Sequence, residues 1–394
     1  MNEDKVVPNI RFKGFKDEFK VGKLENFFDI KDGTHSSPQY INSGFPLITS
    51  KNLTESGLKL ENASYISKSD FDEINKRSKV DVGDILFGMI GTIGTPVMIK
   101  ENNFAIKNVA LIKEFSKPEV LNIWLIYYFQ SPAFDKFIHF RSAGGTQKFL
   151  ALGVIQNMKF KFPLKKEQQK IGNFFAKLDK LLDLQQQKID KLELLKKALL
   201  QTLFPKHDAQ IPELRFKGFE GDWNEKRLNS ITKRLDNYRK PITANKRLSG
   251  QTPYYGANGI QDYVKGYTHE GEFVLIAEDG ANDVRNYPVR FVKGYIWVNN
   301  HAHVLQAKVG TSNNLFLAYS LKNRNLLPYL VGSGRMKLNA DVLMNLLLKI
   351  PDLNEQQKIG NLLSKVDQLI ELENKKLQNL QQVKKCLLQN MFVE

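Results

Sequence analysis

The segment Glu167-Gln-Gln-Lys-Ile-Gly-Asn173 returns without change as Glu355-Gln-Gln-Lys-Ile-Gly-Asn361, and the architecture of the chain follows from this repetition. The two copies lie in longer related segments, residues 163–204 and 351–392, in which about half of the aligned positions are identical. A second pair lies upstream of them, Pro8-Asn-Ile-Arg-Phe-Lys-Gly-Phe15 and Pro212-Glu-Leu-Arg-Phe-Lys-Gly-Phe219. We call these two octapeptides the lead segments. The sequence is therefore an internal duplication.

The stretches between the shared segments do not resemble each other. Residues 31–162 contain Gly33-Thr-His-Ser-Ser-Pro38, whereas residues 233–350 contain Asn300-His-Ala-His303. We interpret the alternation as a common frame that carries two different binding regions. The alternative is an old duplication whose halves drifted without a shared purpose.

The shared segments predict two long helices. Pro163 and Pro351 stand just before them, Asn354 is a candidate N-cap, and neither Gly nor Pro interrupts residues 173–204 or 361–392. Apolar residues recur at three- and four-residue spacing, which is typical of a coiled-coil seam, with a common break in register near Gln185 and Glu373. The predicted seam residues are Ile171, Phe174, Leu178, Leu181, Leu192, Leu195 and Leu199 in the first copy, and Ile359, Leu362, Val366, Leu369, Leu380, Val383 and Leu387 in the second.

An apolar stripe on a long helix requires a partner. We expect the other copy to be that partner, in antiparallel orientation, and an intermolecular coiled coil is the alternative. A helix of about 36 residues is about 54 Å long, which compares with about 34 Å for one turn of B-form DNA. Such a pair of helices could set the distance between two DNA-binding regions.

The composition favours a polyanionic partner. Lys and Arg total 58 against 42 acidic residues, which gives a formal net charge of +16. A single cysteine, Cys386, excludes a disulfide framework and a zinc site built from cysteines. We find neither a signal-peptide pattern nor an apolar run of membrane-spanning length, and therefore expect a cytoplasmic protein.

Both variable regions are expected to be mixed α and β, each a curved sheet with a few helices. The runs Glu272-Phe-Val-Leu-Ile-Ala277 and Gly294-Tyr-Ile-Trp-Val298 predict strands, and residues 121–140 and 315–330 predict helices. Candidate DNA contacts combine cations, amides and hydroxyls with flexible glycine-rich loops, because such groups neutralise phosphates or bond base edges. These candidates are Thr49, Ser50, Lys51, Asn52, Arg141, Thr146, Gln147, Lys148, Asn258, Gln261, Arg335 and Lys337.

Catalytic motifs are not evident. Gly88, Gly91 and Gly94 lack the lysine and hydroxyl of a phosphate-binding loop, so they predict a turn between strands. His301 and His303 alternate as on a strand, but no third ligand follows, so no metal site is predicted. We also find no signature of an amino-methyltransferase, a helicase or a nuclease. The chain is therefore expected to have no catalytic residues and to bind no cofactor itself.

Together, the lead segments, the repeated Glu-Gln-Gln-Lys-Ile-Gly, Gly33-Thr-His-Ser-Ser-Pro38 and Asn300-His-Ala-His303 resemble the specificity subunit of type I restriction-modification enzymes. The resemblance covers nearly the whole chain. It implies an α+β fold in which two target-recognition domains are separated by two long antiparallel coiled-coil helices, as a pseudo-two-fold internal repeat. The implied domains are residues 1–162 and 208–350, and the implied spacer helices are residues 163–207 and 351–394.

The resemblance also implies a function and partners. Each domain would recognise one half of a split, asymmetric site in double-stranded DNA, while the helices set the gap. Two methyltransferase subunits and two restriction subunits would complete the complex, and they would use S-adenosylmethionine, ATP and magnesium. Two other hypotheses remain: a non-catalytic coiled-coil scaffold for proteins or RNA, and a self-sufficient nuclease or methyltransferase.

Overall fold

A computed structural model of the chain describes residues 7–54, 57–91, 93–142, 149–206 and 208–393. The fold is α+β, as predicted, with two long helices of 38 and 39 residues. The chain divides into two compact units, Met1–Gln185 with Lys376–Glu394, and Gln186–Lys375. The first unit thus takes residues from both ends of the sequence, whereas the second is continuous.

The first unit holds twelve strands among its described residues, which pair into sheets in the orders β1-β12, β10-β4-β7-β3, β2-β11-β8-β9 and β5-β6. The strands are β1 (Lys20–Lys23), β2 (Phe28–Asp32), β3 (Tyr40–Ile41), β4 (Phe45–Ile48), β5 (Leu53–Thr54), β6 (Gly57–Leu58), β7 (Ser64–Ile66), β8 (Ile85–Gly88), β9 (Gly94–Met98), β10 (Ala105–Ile106), β11 (Val109–Glu114) and β12 (Lys159–Phe162). The helices are α1 (Lys68–Ser78), α2 (Asn122–Tyr128), α3 (Pro132–Arg141), α4 (Leu152–Gln156), the first part of α5 (Lys165–Thr202) and the last part of α9 (Leu353–Met391).

The apolar run of β11 is buried on both faces because two cores flank the strand. Ala110 and Ile112 contribute to the core that contains Trp124 of α2. Val109 and Leu111 point to the other side, into a second cluster with Phe104. This alternation has the two-residue period of a strand. The turn predicted around Gly88 and Gly94 joins β8 to β9, which pair in antiparallel fashion.

The second unit is built on one six-stranded sheet of order β14-β19-β17-β18-β15-β16. The strands of the unit are β13 (Asn224–Arg227), β14 (Thr232–Arg234), β15 (Ser249–Gly256), β16 (Gly259–Val264), β17 (His269–Ala277), β18 (Val289–Val298), β19 (Ala302–Ala307) and β20 (Leu347–Ile350). Of these, β13 and β20 pair with each other in a separate two-stranded antiparallel sheet. The helices of the unit are the last part of α5, α6 (Leu228–Ile231), α7 (Asn314–Lys322), α8 (Ala340–Met344) and the first part of α9 (Leu353–Met391). Both predicted strands are confirmed, because they lie within β17 and β18.

Two predicted helices are wrong in extent. The helix expected over residues 121–140 is two helices, because Ser131 is extended (ψ 153°) and Pro132 begins α3. The helix expected over residues 315–330 ends at Lys322, and only a 3-10 turn at Leu327–Tyr329 follows. The two variable regions also differ in their sheets, since the first has two four-stranded sheets where the second has one of six strands.

The repeated residues form the same contacts in both units. Arg11 of the first lead segment donates two hydrogen bonds to Glu167, at 2.8 and 2.7 Å. Arg215 of the second does the same to Glu355, at 2.9 and 2.8 Å. Both glutamates are buried, at 1% and 0% exposed. Each lead segment is thus bound to the start of a long helix by a forked ion pair, which compensates the buried carboxylate.

The repeated glutamine also serves the same purpose in both units. Gln168 accepts a hydrogen bond from Leu121 N at 2.8 Å and donates to Pro163 O at 2.8 Å. Gln356 accepts from Asn313 N at 3.0 Å and donates to Pro351 O at 2.9 Å. Each glutamine thereby satisfies backbone groups where a domain helix meets a long helix.

The repeated glycine allows close helix packing. A Cβ added at Gly172 would lie 2.5 Å from Ile123 O of α2. At Gly360 it would lie 2.9 Å from Leu315 Cβ and 3.0 Å from Phe316 N of α7. Glu-Gln-Gln-Lys-Ile-Gly is therefore a packing motif that joins each variable region to its long helix.

The start of α9 differs from the prediction. Asp352, not Asn354, caps the helix, because its side chain accepts hydrogen bonds from the backbone N–H groups of Asn354 (2.9 Å) and Glu355 (3.0 Å). An aspartate at this position satisfies two of the free N–H groups of the first turn.

The two long helices have a continuous heptad seam, so the break predicted near Gln185 and Glu373 is wrong. Buried and half-buried residues follow one another at alternating spacings of four and three. In α5 they are Ile171, Phe175, Leu178, Leu182, Gln185, Ile189, Leu192, Lys196 and Leu199, with Leu203 just beyond its end, and in α9 they are Ile359, Leu363, Val366, Ile370, Glu373, Leu377, Leu380, Lys384, Leu387 and Met391.

The assignment of five residues to the seam is therefore wrong, because their side chains are 36–50% exposed. These residues are Phe174, Leu181, Leu195, Leu369 and Val383. Leu362 is half-buried and packs against the core of the second unit, beside the heptad positions. The other predicted seam residues lie on the observed seam. The polar members of the seam misled the prediction, because the exposed leucines repeat with a similar spacing.

The helices pair within the chain and in antiparallel orientation in each unit. In the first unit, Lys384 Nζ lies 2.7 Å from Asp179 Oδ1, and the rings of Phe175 and Phe392 are 6.0 Å apart. In the second unit, Lys188 bonds Glu373 at 2.7 Å, and Lys196 pairs with Asp367. In both cases a rising number in one helix meets a falling number in the other. The intramolecular pairing is confirmed over the intermolecular alternative.

Candidate nucleic-acid interface

Loops of the second unit come together at the ends of its sheet strands. We call residues 256–259, 278–283, 299–301 and 331–337 the loop cluster. Asn258 Nδ2 donates to Gly280 O at 2.9 Å, and Asn258 Oδ1 accepts from Asn282 N at 2.9 Å. Arg290, at the start of β18, donates to Asn258 O at 3.1 Å, so this turn is also bonded to the sheet.

The loop over residues 331–337 is closed on itself. Val331 and Lys337 exchange two backbone hydrogen bonds, at 2.9 and 2.8 Å. Leu338 N then donates to Glu278 O at 2.7 Å, which ties the loop to the end of β17. Since Gly332 has a φ of +101°, the turn needs glycine at that position.

An ion-pair network underlies this loop. Glu278 Oε2 lies 2.7 Å from Arg239 Nη1, and Glu278 Oε1 lies 2.9 Å from Lys337 Nζ. Burial acts to raise the pKa of Glu278, but the hydrogen bonds from these two cations outweigh it and hold that pKa below its ordinary value. The buried His303 lies in the same network, 2.7 Å from Asp236 Oδ2 and 2.8 Å from Leu338 O. The network fixes where the loop leaves the sheet.

Three of these groups have the types and distances of metal ligands. One ligand atom each from Asp236, Glu278 and His303 lies within 4.8 Å of the others. Glu278, however, is already bonded to two side-chain cations, and Asp236 Oδ1 accepts from Val304 N at 2.8 Å. Because these oxygens are used within the protein, the cluster is better explained as an ion-pair network. That no metal binds here stays a prediction.

The candidate DNA contacts of the second unit have different surroundings. Arg335 is exposed and lies 2.9 Å from Asp279, and Lys337 is half-exposed and paired with Glu278. Gln261 is exposed on β16, next to the loop cluster. Asn258 uses its amide to join two loops, so its contribution in this conformation is to loop geometry. Contact of any of the four with DNA stays a prediction.

The four consecutive candidates in the first unit form a short 3-10 turn, Ser50–Asn52, preceded by Thr49. Asn52 is 5% exposed and donates to Lys59 O at 3.1 Å, while its Oδ1 accepts from Thr49 N at 3.0 Å. Ser50 is also buried. Lys51 alone of the four is exposed, so it is the member of the turn that could meet a ligand.

The remaining candidates follow α3. Arg141 is the last residue of that helix and is exposed. Thr146, Gln147 and Lys148 lie outside the described residues. Phe149, just beyond them, bridges to Ile90, whereas in the second unit Lys337 bridges to Asp279. Phe149 and Lys337 therefore make equivalent bridges, one to the residues that follow β8 and the other to those that follow β17.

A polar cluster in the first unit was missed by sequence reasoning. Asp32, which is 5% exposed, bonds Arg77 and lies 2.6 Å from His35 Nε2. His35 Nδ1 is 2.8 Å from Asn108 Oδ1, and Lys107 donates to Ser37 at 2.8 Å. The only sequence signal was the glycine of Gly33-Thr-His-Ser-Ser-Pro38. A Cβ at Gly33 would lie 2.3 Å from Ile106 O, so the loop lies directly against the neighbouring backbone.

Comparison with known proteins supports the resemblance. The sequence profile of the type I restriction modification DNA specificity domain matches twice, over residues 16–194 and 220–382. This chain belongs to that family. The specificity subunit contains one match in each half of its sequence, which agrees with the duplication.

Individual relatives give the same result. A Haemophilus influenzae protein named as a type I restriction enzyme specificity subunit is 44% identical over 158 residues, 40% of each chain. The EcoprrI specificity subunit of Escherichia coli is 31% identical over 159 residues, 40% of this chain and 39% of its own. The match thus spans about two fifths of each of these relatives. The fold is similar to that of the type I system S subunit from M. genitalium, with a TM-score of 0.70 at 15% identity, over 98% of this chain and 99% of that one.

No helix among the described residues combines the length and apolar character that a bilayer span requires.

Proposed function

We propose that this specificity subunit binds double-stranded DNA through both units and that each unit recognises a different half of a split site. The observation that carries the proposal is the contrast between a repeated frame and unlike binding regions. The same Arg–Glu pair and the same buried glutamine support two four-stranded sheets in one unit and a six-stranded sheet in the other. Unlike loops on a common frame suit recognition of two unlike sequences.

Charge supports DNA as the ligand. The chain has a formal net charge of +16, and exposed cations lie in or near the polar loops, including Lys51, Arg77 and Arg335. Cations give affinity for phosphates, whereas amides and arginine forks distinguish bases. Because each mismatched base pair costs about 1–3 kcal/mol, two units together could reject DNA that one unit would accept.

A stripe of exposed apolar residues supports docking of partner proteins on the long helices. Leu181 and Leu184 of α5 are 46% and 53% exposed, and Leu369 and Leu372, their equivalents in α9, are 45% and 49% exposed. These residues flank the heptad seam, and their repetition in both helices suits two copies of one partner. The partner we propose is the methyltransferase subunit, with restriction subunits joining the complex.

In this proposal the partners supply the chemistry and the specificity subunit supplies base recognition and spacing. S-adenosylmethionine, ATP and magnesium would then belong to the partner subunits. The purified chain should neither methylate nor cleave DNA when these cofactors are added.

Selection from a random duplex library tests the DNA proposal. The chain is reconstituted with its methyltransferase subunit, and bound duplexes are sequenced after several rounds. We expect a motif of two different parts with a fixed gap. In a variant whose residues 332–336 are replaced by Gly and Ser, base preferences should weaken in one part of the selected motif and stay unchanged in the other. An undivided motif, or none, would overturn the proposal in favour of a protein scaffold.

Co-purification tests the docking proposal. Leu184→Ser together with Leu372→Ser should weaken retention of the methyltransferase subunit, because both changes add polar groups to the apolar stripe. Val309→Ser is the matched control, since Val309 is 100% exposed and lies outside both helices. Equal retention by the double variant and the control would show that the stripe is not the docking surface.

A further inference from the structure

Arg335 is held at the surface with one edge of its guanidinium bonded and the other free. Its Nη2 donates to Asp279 Oδ1 at 2.9 Å and lies 3.2 Å from His301 Nδ1. Within the described part of the chain, its Nε and Nη1 make no hydrogen bond. The side chain is 61% exposed. Because Nη2 carries two hydrogens, Nη1 and the second hydrogen of Nη2 together keep an end-on fork of donors that matches the O6 and N7 acceptors of guanine.

Asp279 is itself fixed on two sides. His301 Nδ1 lies 2.6 Å from its Oδ1, and its backbone forms a β-bridge with Lys337. Its side chain is only 24% exposed. The carboxylate therefore restricts the arginine without itself needing to be ordered on binding.

Glycine completes the support. Gly280 has a φ of +71°, and a Cβ at this position would lie 3.0 Å from Arg335 Nη2 and 3.2 Å from its Nε. The guanidinium thus lies close against the backbone. A second glycine, Gly332, keeps the turn tight, since a Cβ there would lie 3.0 Å from Arg335 O. These contacts restrict the Arg335 side chain before any ligand arrives, which lowers the entropy lost on binding.

The acidic partner favours base recognition over phosphate contact. A carboxylate beside the arginine cancels part of the charge that would attract a phosphate, and it repels the phosphate directly. It has no such cost at the major-groove edge of guanine, where two neutral acceptors meet the fork. An arginine intended for the backbone would be better without Asp279.

We propose that Arg335 recognises a guanine in the half-site of the second unit and that Asp279 is the positioning residue that orients it. This proposal rests on the proposed function, because it presumes that the loop cluster faces DNA.

The test compares base preferences of the full complex with methyltransferase subunits present. Wild type, Arg335→Ala, Arg335→Lys and Asp279→Asn are each taken through selection, followed by affinity measurements on duplexes that differ at one position. We expect Arg335→Lys to lose about five- to a hundredfold of discrimination at a single guanine while other positions keep theirs. Asp279→Asn should weaken preference at that same guanine by a smaller factor.

Arg227→Ala is the matched control, because Arg227 is an exposed arginine of the second unit outside the loop cluster, bonded to Asn345 at 2.9 Å. It should leave every base preference unchanged. A uniform loss of affinity with Arg335→Ala that Arg335→Lys restores, together with a shallower salt dependence of Arg335→Ala, would mean a phosphate contact and would overturn the proposal. If Asp279→Asn and Arg335→Ala both abolish recognition of the whole half-site to the same extent, the ion pair stabilises the loop instead of reading a base. That result would also overturn the proposal.

The outcome for wild type separates this proposal from the proposed function. If wild type selects no motif, the proposed function fails. If wild type selects a split motif in which the Arg335 variants change nothing, only the present proposal fails.

Discussion

Removing Arg215 should destabilise the second unit more than any ordinary surface substitution would. The change leaves Glu355, which is 0% exposed, without the two hydrogen bonds that now satisfy its carboxylate. Breaking a buried ion pair from one side costs about 3–5 kcal/mol. Arg215 also donates to Gly221 O at 2.6 Å and to Glu220 O at 3.2 Å, so the turn after the lead segment loses its support as well. We therefore expect Arg215→Ala to lower the free energy of unfolding by about 3–5 kcal/mol.

The assay is urea unfolding combined with hydrogen exchange over residues 353–366, which reports on the second unit separately. Arg215→Ala with Glu355→Gln should be less destabilised than Arg215→Ala alone, because the double variant no longer buries an unpaired charge. Arg227→Ala should change the free energy of unfolding by less than about 1 kcal/mol. If Arg215→Ala behaves like that control, or if the double variant is no better than the single one, the ion pair is not what holds the lead segment.

Gly172→Ala should cost about 1–3 kcal/mol in the first unit, because its Cβ would lie 2.5 Å from a carbonyl oxygen; Gly153→Ala, with nothing within 4 Å, is the control in thermal unfolding. The lowered pKa of Glu278 gives the second unit stability that is present above the ordinary pKa and lost as pH falls through the folded value. Urea unfolding measured between about pH 5 and pH 3 should show this loss of stability in wild type and a smaller loss in Glu278→Gln. If the free energy of unfolding falls equally with pH in both proteins, the loss does not come from Glu278. Seven residues inserted after both Gln185 and Glu373 keep the heptad and add about 10 Å, so the selected half-sites should move about three base pairs apart without changing; altered half-sites would refute the spacer role.

The internal repeat made the two long helices predictable from the sequence, whereas the individual contacts between residues were not predictable. The shared letters indicated both long helices, their antiparallel pairing and two mixed regions. The seam was misassigned because Gln185 and Glu373 occupy heptad positions where an apolar residue is expected. Exposed leucines such as Leu181 and Leu195 offered a competing pattern with nearly the same spacing. Burial, which decides between such patterns, depends on tertiary packing.

The candidate site was predictable only as a set of residue types. Asn258 and Arg335 looked equivalent in the sequence, since both are polar residues in glycine-containing loops. In the fold, the side-chain amide of Asn258 is hydrogen-bonded to a neighbouring loop, whereas Arg335 presents a free edge of its guanidinium to solvent. The partner that makes the difference, Asp279, lies 56 residues away in sequence. No local pattern indicates a pairing over that separation.

The division of the chain into units has a consequence for its synthesis. Leu388, Met391 and Phe392 belong to the hydrophobic core around Trp124, so the unit encoded first lacks part of its interior until these residues leave the ribosome. Residues 186–375 form a unit that is continuous in sequence, so all of its residues have been synthesised before residues 376–394. A premature stop near codon 380 would consequently damage the half of the protein that was translated first.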